Sequence, residues 1–387
     1  MKSSQAIILS AGPNGLGALR GLTKQHVITD VITTNNNEPA LFSRLVNRAE
    51  TTTQERLLET LLTWPGSGQV LIPTSDWYVE FLTNHETLLQ EKFNFVLPTG
   101  KLSEKFIDKK QEVELVATFT NVPKSLVNLP STSQAFTNEL PLPVIIKPRS
   151  NELNKLGQKN IVINDQIQLD EFYRQYSFAL EYCIAQELIK GSDENLWVCN
   201  CVFNENSDLI TAFTFQRLQL TPPHYGVTCY AKSYENQEVI EQVDKIGKGL
   251  KYAGPAMVEF KYDSKSQQYK YIEINPRLGL CNYFDTSCGV NNVYATYCVA
   301  LGLPVEERPK QTHRVFISVY EDLYSRYRDN QSLFTIIKTY LRDLLRPHTF
   351  IYFAWRDPLP AIAVGLNQLR SLLKMSIAKL RRKKRNS

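Results

Sequence analysis

The chain has 387 residues, enough for two or three domains with separate cores. Hydrophobic residues make up 43% and charged residues 21%, and no apolar run nears the roughly 20 residues of a membrane span. The opening "MKSSQAIILSAG" has too short an apolar core for a secretory signal, so a cytoplasmic location is expected. The net charge of +5 is unevenly spread: Lys338 to the end holds 12 Lys/Arg against Asp343 and Asp357, leaving the body acidic. Seven cysteines without a C-x-x-C pair predict reduced thiols, with Cys199 and Cys201 alternating in "WVCNCVF" as strand residues.

Residues 1–103 read as alternating strands and helices. "AIIL" is strand-like, and "SAGPNGLGALRG" turns through Gly12, Gly15 and Gly17 into a helix. "VITDVITT" is a strand, "TQERLLETLLTWP" a helix that Pro65 stops, "QVLIPTSD" a strand and "WYVEFLTNHETLLQEKF" a helix. This alternation predicts a parallel sheet covered by helices. The spacing G-x-x-G-x-G is not the dinucleotide fingerprint G-x-G-x-x-G, and Glu38 follows the second strand only after a polar run. The first turn is therefore read as keeping its shape without holding a dinucleotide, which weakens an oxidoreductase reading.

From residue 104 the texture changes. "SEKFIDKKQEVELVATFTNV" suits a helix that Pro123 ends, and "LPLPVIIKPRS" is a buried strand ending near Lys147. "LDEFYRQYSFAL" is helical and "YCIAQELI" a strand. "NLWVCNCVF", "LITAFTFQRLQL" and "VTCYAKSY" suggest an antiparallel meander, and "NQEVIEQVDKIGKGLKYA" is a helix.

The most informative segment is "MVEFKYDSKSQQYKYIEINPR", two apolar-rich runs around a polar turn, the pattern of a β-hairpin. A turn centred on Ser266 sets Glu259 opposite Glu273. Strand alternation then puts Glu259, Glu273, Asn275 and Arg277 on one face, with Ile272 and Ile274 on the other. Like charges directly opposed destabilise a sheet by about 0.2–1 kcal/mol. A hard divalent cation would compensate, because Mg²⁺ takes one or two carboxylates together with substrate phosphates. An exposed hairpin with ordinary surface charges is the alternative.

In this order, the strand lysine, "QELI-G-D" and the pair "VEF…IEINPR" resemble the ATP-grasp superfamily over about residues 5–305. The likeness is to the ATP-dependent carboligases grouped around D-aspartate ligase, with biotin carboxylase and carbamoyl-phosphate synthetase more remote. The resemblance implies α/β and α+β architecture: a Rossmann-like pre-ATP-grasp domain at 1–103, an ATP-grasp domain at 104–310, and a helical C-terminal extension at 311–387. It implies ATP and Mg²⁺ as cofactors, with Mn²⁺ an alternative metal. Glu259, Glu273 and Asn275 would bind the metal, and Arg277 would hold the transferred phosphate. Lys147 would meet the α/β-phosphates, and Arg217 would lie near substrate and γ-phosphate. Gln186, Glu187, Leu188 and Ile189 would line the adenine pocket, and Asp193 or Glu194 would meet the ribose. Lys109, with Lys110 as its rival, would be a further nucleotide lysine. The loop after Lys147 has only Gly157 where many such enzymes are Gly-rich, so Lys155 or Lys159 would supply charge there.

The implied activity is carboxylate–amine ligation through an acyl phosphate, with small-molecule acid and amine as substrates. The alternatives are a carboxylase acting on bicarbonate and a non-catalytic ATP-binding protein. "AIAVGLNQLRSLLKMSIAKLRRKKR" at 361–385 reads as a helix docked on the body, or as attachment to an anionic membrane surface through 370–387. The cluster lacks a nucleic-acid reader module, so no nucleic-acid partner is expected. No residue pattern assigns an oligomeric state.

Overall fold

The computed structural model describes residues 5–98, 102–306 and 308–370. Strands β1 (Ala6–Leu9), β2 (Thr29–Thr33), β3 (Ala49–Thr51) and β4 (Val70–Pro73) form a parallel sheet in the order β3-β2-β1-β4. β1, β2 and β4 are buried at every residue, as sheets covered on both faces require. The helix Pro13–Thr23 follows β1. Its glycines are needed for close approach: a Cβ on Gly15 would lie 2.0 Å from the Ser10 carbonyl, and one on Gly17 2.0 Å from Asn282 Oδ1. Glu38 does come back to the first turn, where its carboxylate accepts from the Ala11 N–H at 2.8 Å and from the Thr33 hydroxyl. The chain's own carboxylate therefore ties down the turn that leads into this helix.

The long helices expected at 53–65 and 77–93 are shorter and divided, as Leu57–Leu62 and as Asp76–Asn84 followed by Glu86–Gln90. The one expected over 103–122 breaks at Asp108 into Leu102–Ile107 and Lys109–Val116. Asp108 has extended backbone there and caps the second helix, accepting from the Lys110 N–H at 3.0 Å. Lys109 thereby becomes the first residue of a helix whose start faces the cleft.

Strands β5 (Ser125–Leu126), β6 (Val144–Pro148), β7 (Ile161–Ile163) and β8 (Cys183–Glu187) form an antiparallel sheet ordered β5-β8-β6-β7. The third sheet holds β9 (Leu196–Phe203), β10 (Leu209–Thr221), β11 (Val227–Ser233), β12 (Gly254–Asp263) and β13 (Gln268–Asn275). The meander expected from the sequence is its centre, with β9, β10 and β11 paired antiparallel. The amphipathic helix Gln237–Leu250 packs Val239, Val243 and Ile246 onto one face, against Cys199, Cys201, Val258 and Phe260. All seven cysteines are buried free thiols.

The region after 310 is helical, with Val319–Arg328, Leu333–Leu344 and a helix over 359–370. It also contributes β14 (Val315–Ile317) and β15 (His348–Phe350), which extend the third sheet to β13-β12-β9-β10-β11-β14-β15. The expected extension is thus built into the sheet edge. The tail reading falls largely on 371–387, outside the described residues.

The same region grips the first sheet. Arg20, on the helix after β1, is buried with Asp357 at 3.2 Å, and it also donates to the carbonyls of Ile351, Tyr352 and Asp357. The second Asp357 oxygen accepts from the Arg44 N–H at 3.2 Å. Removing one partner of a buried pair strands the other charge at a cost of about 3–5 kcal/mol. Asp357→Ala should therefore lower unfolding stability by about 3 kcal/mol, read from urea midpoints; a change under about 0.5 kcal/mol, the size of an ordinary surface substitution, would contradict this role.

Candidate active site

Glu259 and Glu273 are directly paired residues of β12 and β13, as expected. The register is reached by a different route. The strands end at Asp263 and Gln268, half a residue from the expected turn centre, and a bulge beside Glu259 restores the pairing. The bulge alters one expected face. Ile274 packs into the helix-side core with Tyr271 and also reaches the cleft lining, while Ile272 lines the cleft beside Glu273. Met257, Glu259 and Lys261 line the same cleft, and Val258 and Phe260 face the core.

Each carboxylate has its own cation. Arg217, on β10, reaches across β9 to grip buried Glu259 with both terminal nitrogens, one at 2.7 Å. Burial pushes the Glu259 carboxyl above its usual range against the pull of Arg217, and the Glu273 charge adds to the rise. Lys109 lies 3.4 Å from Glu273 and 3.8 Å from Glu112. Burial opposes ionisation of Glu273, but Lys109, Lys147, Lys159 and Arg217 together hold it at about 2. Glu112 is buried and accepts from the Tyr271 hydroxyl at 2.6 Å and the Ile274 N–H at 3.0 Å. Burial works against the Lys109 ammonium as well, and these carboxylates hold it above the usual lysine range.

The opposite wall comes from the second sheet. Lys147, near the end of β6, donates to Gln186 Oε1 at 2.9 Å, and Gln186 in turn donates to Ser125. Burial, with Lys109 nearby, brings the Lys147 ammonium down to about 8. Gln186, Glu187, Leu188 and Ile189 all line the cleft. The Glu187 carboxylate, though, is taken by the Lys124 N–H and the Lys270 ammonium.

The residues expected at the ribose lie beside the cleft lining. Asp193 and Glu194 are not among the cleft-lining residues, because the short turn Asp193–Asn195 carries them aside. Asp193 instead meets His224 at 3.2 Å, and His224, Leu196 and Lys261 face that end of the cleft. Of the rival lysines, Lys109 lines the cleft while Lys110 donates outward to Asn128 at 2.7 Å. Lys159 lines it and donates to the Tyr225 carbonyl, while Lys155 lies over the Tyr182 ring.

Arg277 pairs with Asp76 through two bonds of 2.7 and 3.0 Å and also donates to Asn275. Asp76 begins a helix packed against the first sheet, and this helix closes one side of the cleft. Asp76 and Glu112 were not expected as site residues. Both act on residues more than 150 positions away, and no local pattern marks them. The cleft has a volume of about 1080 Å³, large enough for a nucleotide and a second small molecule. Among the described residues no group of three or more His, Cys, Asp or Glu could hold a metal alone. Two carboxylates and an amide oxygen do suit Mg²⁺ that takes its other ligands from phosphates and water.

Comparison with known proteins agrees with this architecture. Residues 198–308 match the family model described as "Carbamoyl-phosphate synthase L chain, ATP binding domain". A D-aspartate ligase of Enterococcus faecium (strain Aus0004) is 26% identical over 237 residues, 57% of this chain. The chain spans 56% of that relative's length. Among solved structures, N5-carboxyaminoimidazole synthetase from Staphylococcus aureus superposes with a TM-score of 0.64 at 15% identity, over 85% of this chain and 86% of that one. Biotin carboxylase from Campylobacter jejuni, in a β,γ-ATP complex, gives a TM-score of 0.61 at 15% identity over 81% and 75%. The biotin carboxylase domain of Hydrogenobacter thermophilus 2-oxoglutarate carboxylase, with MgADP and bicarbonate, gives 0.64 at 14% over 81% and 74%. The chain has the ATP-grasp fold.

The Arg217–Glu259 pair yields a pH-dependent expectation. In Arg217→Met, Glu259 stays buried without a cation, which should cost about 3 kcal/mol at pH 7. A raised folded-state pKa means stability falls as pH rises from the unfolded value of 4.5 toward the folded one. The penalty should therefore shrink toward pH 4 in urea unfolding; a penalty equal at both pH values would contradict the arrangement.

Proposed function

We propose that the chain is an ATP-dependent carboxylate–amine ligase. The observation that carries this reading is the facing pair Glu259 and Glu273, neutralised from two sides in a cleft that also presents Lys147 and Arg277. Glu259, Glu273 and Asn275 would hold Mg²⁺, which when bound neutralises phosphate charge.

In this reading Lys147 meets the ATP phosphates, and the backbone of Leu188 or Ile189 receives the adenine against Gln186. Lys109 keeps Glu273 ionised, so that it is ready to ligate. Arg217 holds Glu259 as a carboxylate and lies near the acid substrate. The γ-phosphoryl group passes from ATP to a substrate carboxylate oxygen, leaving ADP, and Arg277 steadies the transferred group. The amine then attacks the acyl carbon, loses a proton, and expels phosphate as the amide forms. Most of the protein's contribution is positioning and charge neutralisation, and no side chain forms a covalent intermediate.

A second reading, carboxylation with bicarbonate as the acid, is favoured by the carboxylating neighbours in the structural comparison. Release of ADP and phosphate decides between them. The ligase reading expects release only when a carboxylic acid and an amine are both present; release with bicarbonate and no other acid would overturn it. Glu273→Gln should lower kcat by at least about 100-fold, the scale of losing an electrostatic group at the transition state; full activity would remove Glu273 from the site.

Lys147 gives an independent test. With its ammonium near pKa 8, affinity for MgADP should fall about tenfold per pH unit above 8, as the free protein loses the charge that phosphate binds. Calorimetry should show that fall flattened in Lys147→Arg. An unchanged slope in the variant would exclude Lys147 as the phosphate contact.

A further inference from the structure

The helix Leu333–Leu344 carries its apolar residues on the wrong side for a core. Only Ile336 and Asp343 are buried, with Tyr340 turned inward to Asp322 at 2.8 Å. Leu333, Phe334, Ile337, Leu341, Leu344 and Leu345 face outward, with Leu333 77%, Phe334 76% and Leu345 89% exposed. At 3.6 residues per turn, 333, 337, 341 and 344 stack, while 334 and 345 widen the stripe. From Tyr340 and Phe350 at its base, ring contacts run through Phe353 to Trp355, which is 90% exposed. The helix over 359–370 exposes a second stripe, Ile362, Leu366 and Leu369.

Charge around this face is one-sided. Lys338, Arg342 and Arg346 lie on or just after this helix, and the latter two both reach the single acid Asp343. The two acids between Lys338 and the chain end are both fully buried, Asp343 beneath Tyr230, Lys232 and Arg342, and Asp357 against Arg20. The sequence beyond Arg370 adds seven Lys/Arg and no acid. An apolar stripe with cations along its edge and an exposed tryptophan is the pattern of a helix lying in a bilayer interface. Each cation near an anionic leaflet adds about 1 kcal/mol. A second copy would bring the same cations against each other, and the chain's own tail would add more of the same charge. Among the described residues no helix is long and apolar enough to cross a membrane.

We infer that the face formed by Leu333–Leu345 and Trp355 docks onto an anionic bilayer surface, holding the protein peripherally there. The test is co-sedimentation of the full chain with vesicles of phosphatidylcholine alone and with phosphatidylglycerol added. Binding should require the anionic lipid, weaken with salt, and shift tryptophan emission to the blue. Trp355→Phe should abolish most of that shift. The double variant Phe334→Glu/Leu341→Glu changes exposed residues, and unchanged urea unfolding will confirm its fold; it should bind at least 10-fold more weakly. Equal binding to neutral vesicles, no binding, or a double variant that binds like the parent would overturn the inference. So would light scattering that shows a dimer dissociated by the double variant, which would assign the face to a second copy.

Discussion

Two carboxylates facing each other on neighbouring strands repel, and much of the cleft is arranged to keep both charged. Arg217 comes to Glu259 from the middle of the large sheet, and Lys109 comes to Glu273 from the start of a helix that Asp108 caps. Burial makes each charge costly, and a buried ion pair recovers that cost only in part. A hydrophobic pair at these positions would serve the sheet better. The proposed Mg²⁺ site supplies a reason for the arrangement, since its carboxylates would have to stay available to a stronger cation. The difference between them fits such a role: Glu273 is held ionised at about 2, whereas burial raises Glu259 and leaves it dependent on Arg217.

The walls of the cleft come from the second and third sheets and from helices beside the first, so their relative placement matters as much as any one side chain. Asp76, at the start of a helix beside the first sheet, meets Arg277 just beyond β13, tying that helix to the end of the hairpin. On the helix after β1, Arg20 is locked to Asp357 and to three carbonyls of the C-terminal region. Gly17 lets the helix carrying Arg20 approach Asn282. These contacts hold the first sheet and its helices where they can close the cleft, while Glu38 bonds the turn before the first helix.

Local patterning made the first sheet, the meander and the facing carboxylates legible, since alternation and strand length are short-range signals. The Glu259–Glu273 pairing was legible for a partly fortuitous reason. The turn lies half a residue from its expected centre, and a bulge moves the register back while turning Ile272 into the cleft. Asp193 and Glu194 sit on a short turn after β8, and nothing in "GSDEN" announces which way that turn sends them. Choosing Lys109 over Lys110 requires the helix phase that the Asp108 cap sets. Asp76 and Glu112 are long-range contacts with no local signature. The C-terminal region was legible as helical, but β14 and β15 are three residues each, too short to stand out.

In the proposed site, Glu259 and Glu273 take a divalent metal when nucleotide phosphates are present. Electron paramagnetic resonance of Mn²⁺, titrated into the protein with and without a non-hydrolysable ATP analogue, tests it most directly. Tight Mn²⁺ binding is expected only with the nucleotide, and it should be lost in Glu273→Gln while the fold is retained. Nucleotide-dependent Mn²⁺ binding that survives in Glu273→Gln unchanged would contradict it.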